Sequence, residues 1–169
     1  MRDPLPPDLR EANDGYAAAW GEKASLARKP RRRLALLTCM DARVDPVQAL
    51  GLEEGDAHVI RNAGGVATDD ALRSLVISNR LLDTESAYVI GHTQCGMLSF
   101  TNDDLYRRLG REGIDARWLD FLPFKEIEAS VVASVERLRA STLLPDGYRV
   151  EGFVLDVATG RLEPVEALL

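Results

Sequence analysis

The chain of 169 residues has only two cysteines and two histidines, no excess of positive charge, and no apolar run approaching the ~20 residues of a membrane span. Each scarcity excludes something. A net charge of −6 argues against an electrostatic footprint for nucleic acid. The one basic run, Lys29-Pro30-Arg31-Arg32-Arg33, reads as the solvated entrance to the apolar run that follows it. No N-terminal stretch resembles a signal peptide, so the expected compartment is the reducing cytoplasm. There, two cysteines point to a metal or catalytic role rather than to a disulfide. No internal repeat or low-complexity tract interrupts the chain. An apolar fraction of 46% and a charged fraction of 28% suit one soluble domain over residues 1–169.

What is present alternates strand and helix. Residues 1–8 are proline-rich, and Leu9 to Leu26 reads as a helix carrying an apolar patch at Tyr16–Trp20. Residues 1–28 thus form an N-terminal arm whose patch has nothing nearby in sequence to cover, which points to a partner subunit. Leu34-Ala35-Leu36-Leu37-Thr38 is an apolar run of strand length, of the kind buried on both faces of a parallel sheet. Asp45-Pro46 starts a short helix that Gly51 and Gly55 stop. Ala57–Ile60 and Ala87–Ile90 are further strands, with a Thr68-capped helix to about Leu82 between them. Cys95 to about Gly110 reads as an interrupted helix and Pro123 to Ala140 as an amphipathic one. Val150–Val157 and Arg161–Val165 form a terminal strand pair. The expected fold is α/β, a mostly parallel central sheet flanked by helices.

Ligands of such sheets bind at the carboxyl ends of the strands. Cys39-Met40-Asp41-Ala42-Arg43 follows the first strand, Asn62-Ala63-Gly64-Gly65 the second, and His92-Thr93-Gln94-Cys95-Gly96 the third. Residues far apart in sequence therefore converge on one edge. Two thiolates and one imidazole suit Zn²⁺, and three protein ligands leave a position for water, whose pKa zinc lowers to ~7. Asp41 is placed either to fill that position or to accept a hydrogen bond from the water, and Arg43 to choose between these by holding the carboxylate. If Cys95 begins a helix, the dipole lowers its thiol pKa. His58, mid-strand, reads as a core or surface histidine. The glycines after Asn62 allow close backbone approach to a small ligand, or make a tight loop.

These three segments resemble the β-class carbonic anhydrases. Cys39–Val44 is similar to that family's Cys-x-Asp-Ser/Ala-Arg signature, Val59–Gly64 to its second loop, and Val89–Gly96 to its His-x-x-Cys-Gly element, in the family's order and spacing over about residues 34–100. The resemblance implies reversible hydration of CO2 to bicarbonate through a zinc-bound hydroxide. Cys39, His92 and Cys95 would bind zinc, with Asp41 as a fourth ligand in a closed state only and Asp41–Arg43 as the gating pair. Asn62, Ala63, Gly64 and Gly96 would meet the substrate. It also implies a homodimer, or a higher homo-oligomer, in which the N-terminal helices embrace the partner. Two features depart from the pattern: no glutamine precedes Cys39 by about nine residues, and Gln94 stands where many compact members have Asp. Relatives with the same zinc set hydrolyse carbonyl sulfide or carbon disulfide, which is the alternative activity. A non-enzymatic zinc module is the reading from another class.

Overall fold

Among the described residues, five strands form one sheet in the order β2-β1-β3-β4-β5. The computed structural model describes residues 4–166. The strands are β1 (Leu34–Cys39), β2 (Ala57–Asn62), β3 (Ser86–His92), β4 (Arg149–Leu155) and β5 (Leu162–Val165). The first four run parallel, and β5 returns antiparallel to β4. The helices are α1 (Pro7–Ala18), α2 (Pro46–Ala49), α3 (Asp69–Arg80), α4 (Asn102–Arg111) and α5 (Ile127–Arg139).

The continuous apolar run of β1 is buried at every position, as a central parallel strand requires. Alternation then sorts its side chains. Ala35 and Leu37, with Ala87 and Val89 of β3, pack against Ala71 and Leu75 of α3 and Val131, Val135 and Leu138 of α5. Leu34, Leu36 and Ile90 face the other way, toward Val44, Leu155 and the partly buried Leu50 and Leu52. On the first face α5 lies almost on the sheet backbone. A Cβ on Gly91 or Gly152 would come within 2.8 or 2.7 Å of Val131, so only glycine admits the helix there.

Three helix boundaries differ from those expected. The run Leu9–Leu26 is not one helix: α1 ends at Ala18, Gly21 turns to φ +47°, and a separate 3-10 turn spans Gly21–Ser25. No residue of α1 is buried, and Leu9, Tyr16 and Trp20 stay exposed. Cys95 opens only a single 3-10 turn, Gly96–Leu98. The helix proper begins after Thr101, whose hydroxyl and the Asp104 carboxylate form a reciprocal capping box. Pro123–Glu126 is not helical. The Phe124 ring instead packs beside Met97 and the two cysteines, which holds the segment extended until α5 starts at Ile127.

The basic run is neutralised by neighbouring acids. Arg31 and Arg32 bond Asp56, Lys29 pairs with Asp83, and Arg33 with Glu85 at 2.7 Å. His58 serves the structure: its Nδ1 accepts from the Ser78 hydroxyl at 2.7 Å and its Nε2–H donates to the Arg28 carbonyl at 3.2 Å.

Candidate metal centre

Strand order explains the meeting of distant residues. β1 and β3 are neighbours at the middle of the sheet, with Thr38 opposite Ile90. The chain therefore leaves β1 at Cys39 beside the residues that lead β3 into His92. On the other side of β1, Cys39 is opposite Asn62, the last residue of β2. Three loops rise from three adjacent strand ends.

Cys39, His92 and Cys95 are buried, and their ligand atoms lie within 4.8 Å of one another. The two sulfurs are 3.9 Å apart and both thiols are free. That is far beyond the ~2.05 Å of a disulfide. It matches the edge of roughly 3.8 Å that two sulfurs span on a tetrahedron with ~2.3 Å zinc–sulfur bonds. The imidazole of His92 is 1% exposed. Its Nδ1–H donates to the Thr93 carbonyl at 2.9 Å, while Nε2 is buried with no hydrogen-bond partner. A buried polar nitrogen without a partner is costly unless something else satisfies it. Its aim toward two thiols makes a zinc ion the fitting occupant, and the donor set has the softness zinc prefers.

Asp41 stands beside these atoms. Its Oδ2 is 3.8 Å from His92 Nε2. The carboxylate is turned to Arg43, which donates from Nε to Oδ1 at 3.0 Å and from Nη2 to Oδ2 at 2.8 Å, while the Arg43 backbone N–H adds a third bond at 3.0 Å. These bonds hold the Asp41 carboxyl well below the usual carboxylate range. Arg43 also donates to the Gln94 carbonyl at 3.0 Å, and Gln94 takes φ +55° there. The guanidinium thereby ties the loop after β1 to the loop after β3.

The helix-dipole expectation for Cys95 is corrected. The 3-10 turn that follows is three residues long, and burial pushes the Cys95 thiol up despite the opposing Met97 N–H. A bound metal ion, not a dipole, is what deprotonates a thiol in such a place.

The loop after β2 closes on itself. The Asn62 amide donates to the Val66 carbonyl at 2.7 Å and accepts from its N–H at 3.0 Å, so this side chain braces the loop. Gly64, at φ +81°, sits against Phe124 and Met97, and a Cβ there would reach Phe124 at 2.9 Å. Ala63 is exposed, and Gly96 borders open space. Two further residues act at the site without having been singled out in the sequence. Arg61 of β2 donates to the Cys39 carbonyl at 2.9 Å and the Asp41 carbonyl at 2.7 Å. Phe124, about thirty residues beyond the last motif, supplies an apolar wall with Met97. Arg61 lies within the second motif and was legible as a charge at a strand end. Phe124 carried no local signal.

Fold and site define a class: a parallel α/β protein with a thiolate–imidazole–thiolate metal centre at its strand ends and an Asp–Arg pair beside it. Known proteins agree. The carbonic anhydrase family model matches residues 34–122. Beta-carbonic anhydrase 1 of Mycobacterium tuberculosis (strain ATCC 25618 / H37Rv) is 44% identical over 159 residues, 94% of this chain and 96% of that protein. The crystal structure of a carbonic anhydrase from Streptococcus mutans superposes with a TM-score of 0.91 at 43% identity, over 98% of this chain and 100% of that one. A carbon disulfide hydrolase of Acidianus sp. (strain A1-3) is 36% identical over 155 residues, 78% of this chain and 76% of that protein. The chain belongs to the β-carbonic anhydrase family, a zinc-dependent family of enzymes.

Proposed function

We propose that this protein catalyses the reversible hydration of CO2 to bicarbonate at a zinc ion held by Cys39, His92 and Cys95. The observation that carries the reading is the buried, unpartnered His92 Nε2 aimed at two free thiols 3.9 Å apart, in a chain 44% identical to a β-carbonic anhydrase. Zinc bound there supplies a Lewis acid that makes water nucleophilic near neutral pH.

The remaining work falls to the chain's own groups. Asp41, ionised at working pH, accepts a hydrogen bond from the attacking water and orients its lone pair toward the substrate carbon. Arg43 holds Asp41 by both carboxylate oxygens and so keeps it from turning to the metal, which makes the two a gate. Gly64, Met97 and Phe124 form an apolar wall suited to a small linear molecule, and Ala63 and Gly96 line the approach. Asn62 contributes by fixing the loop. The proton leaves to solvent or buffer, because His58 has both ring nitrogens engaged elsewhere. Stopped-flow CO2 hydration near pH 8, with one zinc per chain, tests this. A rate no higher than buffer alone refutes it.

A second activity, hydrolysis of carbon disulfide or carbonyl sulfide, is favoured by the carbon disulfide hydrolase at 36% identity. Sulfide release from either substrate distinguishes it. A purely structural zinc site is the weaker reading, because a permanently bound Asp41 would be needed and Asp41 is paired with Arg43. We further propose one domain over residues 1–169 that works as a homodimer, with residues 1–28 as the arm that grips the partner. The unburied face of α1 supports this, with Leu9, Tyr16 and Trp20 open to a second copy. A cytoplasmic setting suits two reduced thiols. Among the described residues no helix is long and apolar enough to cross a membrane.

A further inference from the structure

The loop that follows His92 and carries Cys95 is anchored by the end of β4 and the turn beyond it. Thr93 is the anchor. Its backbone N–H donates to the Leu155 carbonyl at 2.9 Å, extending the β3–β4 ladder in which His92 is opposite Leu155. Its hydroxyl accepts from the Val157 N–H at 3.0 Å and donates to Asp156 Oδ1 at 3.3 Å. Asp156 is itself fixed. It accepts from the Ala158 N–H at 2.8 Å and the Thr159 hydroxyl at 3.0 Å, and its own N–H donates to the Arg161 carbonyl at 2.8 Å. The turn between β4 and β5 therefore grips Thr93 through backbone and side chain. Thr93 in turn offers the one carbonyl that takes the His92 Nδ1–H.

An imidazole that donates from Nδ1 has its lone pair on Nε2, the atom facing the two thiols. The group that accepts the Nδ1–H sets both tautomer and ring plane, and losing such a group typically costs about 10–100-fold in metal affinity. Here the carbonyl belongs to the residue just past β3, which is held by one ladder bond to Leu155 and by its own hydroxyl.

We propose that Thr93 is a positioning residue for the metal centre: its hydroxyl, locked to Asp156 and Val157, fixes the carbonyl that orients His92 toward zinc. The β4–β5 turn thereby becomes part of the metal site, although none of its residues belongs to the ligand cluster. The inference rests on His92 being a zinc ligand, as in the function proposed above.

The test is zinc competition against a chromophoric chelator, on the zinc-loaded wild type and on Thr93→Val and Thr93→Ser. Thr93→Val keeps the shape and removes the hydroxyl. It should weaken zinc binding by about 10–100-fold, the range for residues that brace a metal-binding histidine. Thr93→Ser keeps the hydroxyl and should stay near wild type. Melting of the chelator-treated proteins separates lost folding from lost affinity. A second measurement needs no variant. With only two histidines in the chain, nitrogen-15 correlation spectra of the zinc-loaded wild type resolve His92, protonated on Nδ1, from His58, protonated on Nε2. The His92 Nδ1–H should exchange slowly with water. Wild-type affinity in Thr93→Val, equal losses in both variants, or a rapidly exchanging Nδ1–H would overturn the positioning role. A wild type that takes up no zinc while CO2 hydration persists would instead remove His92 as a ligand, and the proposal with it.

Discussion

Gly65→Ala should damage the fold and the metal centre together, and the structure gives the size. Gly65 has φ +66°, where an alanine costs about 1–2 kcal/mol relative to its preferred conformations. The added Cβ would also meet the Cys39 nitrogen at 3.0 Å, the Thr38 carbonyl carbon at 3.0 Å and the Thr38 Cα at 3.1 Å. All three are backbone atoms of the central strand, so no side chain can swing aside. Overpacking of that kind costs about 1–3 kcal/mol. The sum, about 2–5 kcal/mol, is a large share of the ~5–15 kcal/mol that holds a typical domain together. Because the displaced atoms make up the Thr38–Cys39 peptide link, zinc affinity should fall as well. Gly110→Ala is the internal control. It is the same substitution within α4, with no atom within 4 Å of the new Cβ, and should stabilise by about 0.5–1 kcal/mol through helix propensity alone. Urea unfolding of both variants, zinc-free and zinc-loaded, reads the comparison by linear extrapolation. A loss below ~1 kcal/mol in Gly65→Ala, with zinc binding intact, would refute the claim that this glycine exists to let β1 and the loop after β2 touch.

Other expectations follow from the same geometry. Arg43→Ala should abolish most CO2 hydration yet change stability by only about 0–1 kcal/mol, because Arg43 is about half exposed. Asp41 has its carboxyl lowered by Arg43, so the pairing contributes fully above the ordinary carboxylate value and is lost only as pH falls through the lowered one. The stability difference between wild type and Arg43→Ala should thus be flat from about pH 5 to 8 and shrink in strong acid; a slope near neutrality would contradict it. Thr101→Ala removes the capping hydroxyl of α4 and should cost about 1 kcal/mol in urea unfolding while zinc affinity stays unchanged. Stripping zinc should lower the melting temperature; the stabilisation lost grows with the free zinc concentration and reaches about 4 kcal/mol at a thousandfold excess over the dissociation constant. His92→Ala should show no such dependence.

The strands and the candidate ligands were legible because both announce themselves locally. Leu34–Thr38 is a run that suits a doubly buried strand, Cys39 and His92 end such strands, and Cys95 follows three residues on. What local pattern could not carry is any choice made by distant packing. Residues 9–26 have helical composition, but Gly21 adopts a positive φ and none of the described residues buries α1 to hold a longer helix. Pro123–Glu126 has good helix-start chemistry, and loses it because Phe124 finds more burial beside Met97 and Gly64. The Cys95 helix failed for want of length, and with it the dipole argument. The Thr101–Asp104 capping box, passed over in the sequence, marks where α4 begins.

The loops around the metal centre differ in how they are held, and the difference bears on what can move. The loop after β1 is clamped from β2 by Arg61, through the Cys39 and Asp41 carbonyls. The loop after β2 is braced internally by Asn62. The loop after β3 is pinned from β4 through Thr93. Each backbone is therefore fixed by bonds independent of Arg43. The Asp41 side chain is not: it stays where it is only through Arg43, whose guanidinium is about half exposed and spans to Gln94. A carboxylate on a braced backbone, held by one solvent-accessible guanidinium and one backbone N–H, can change partner while the backbone around it stays fixed. The gate proposed above needs this freedom, and the loops at these strand ends leave room for it because each is secured by bonds of its own.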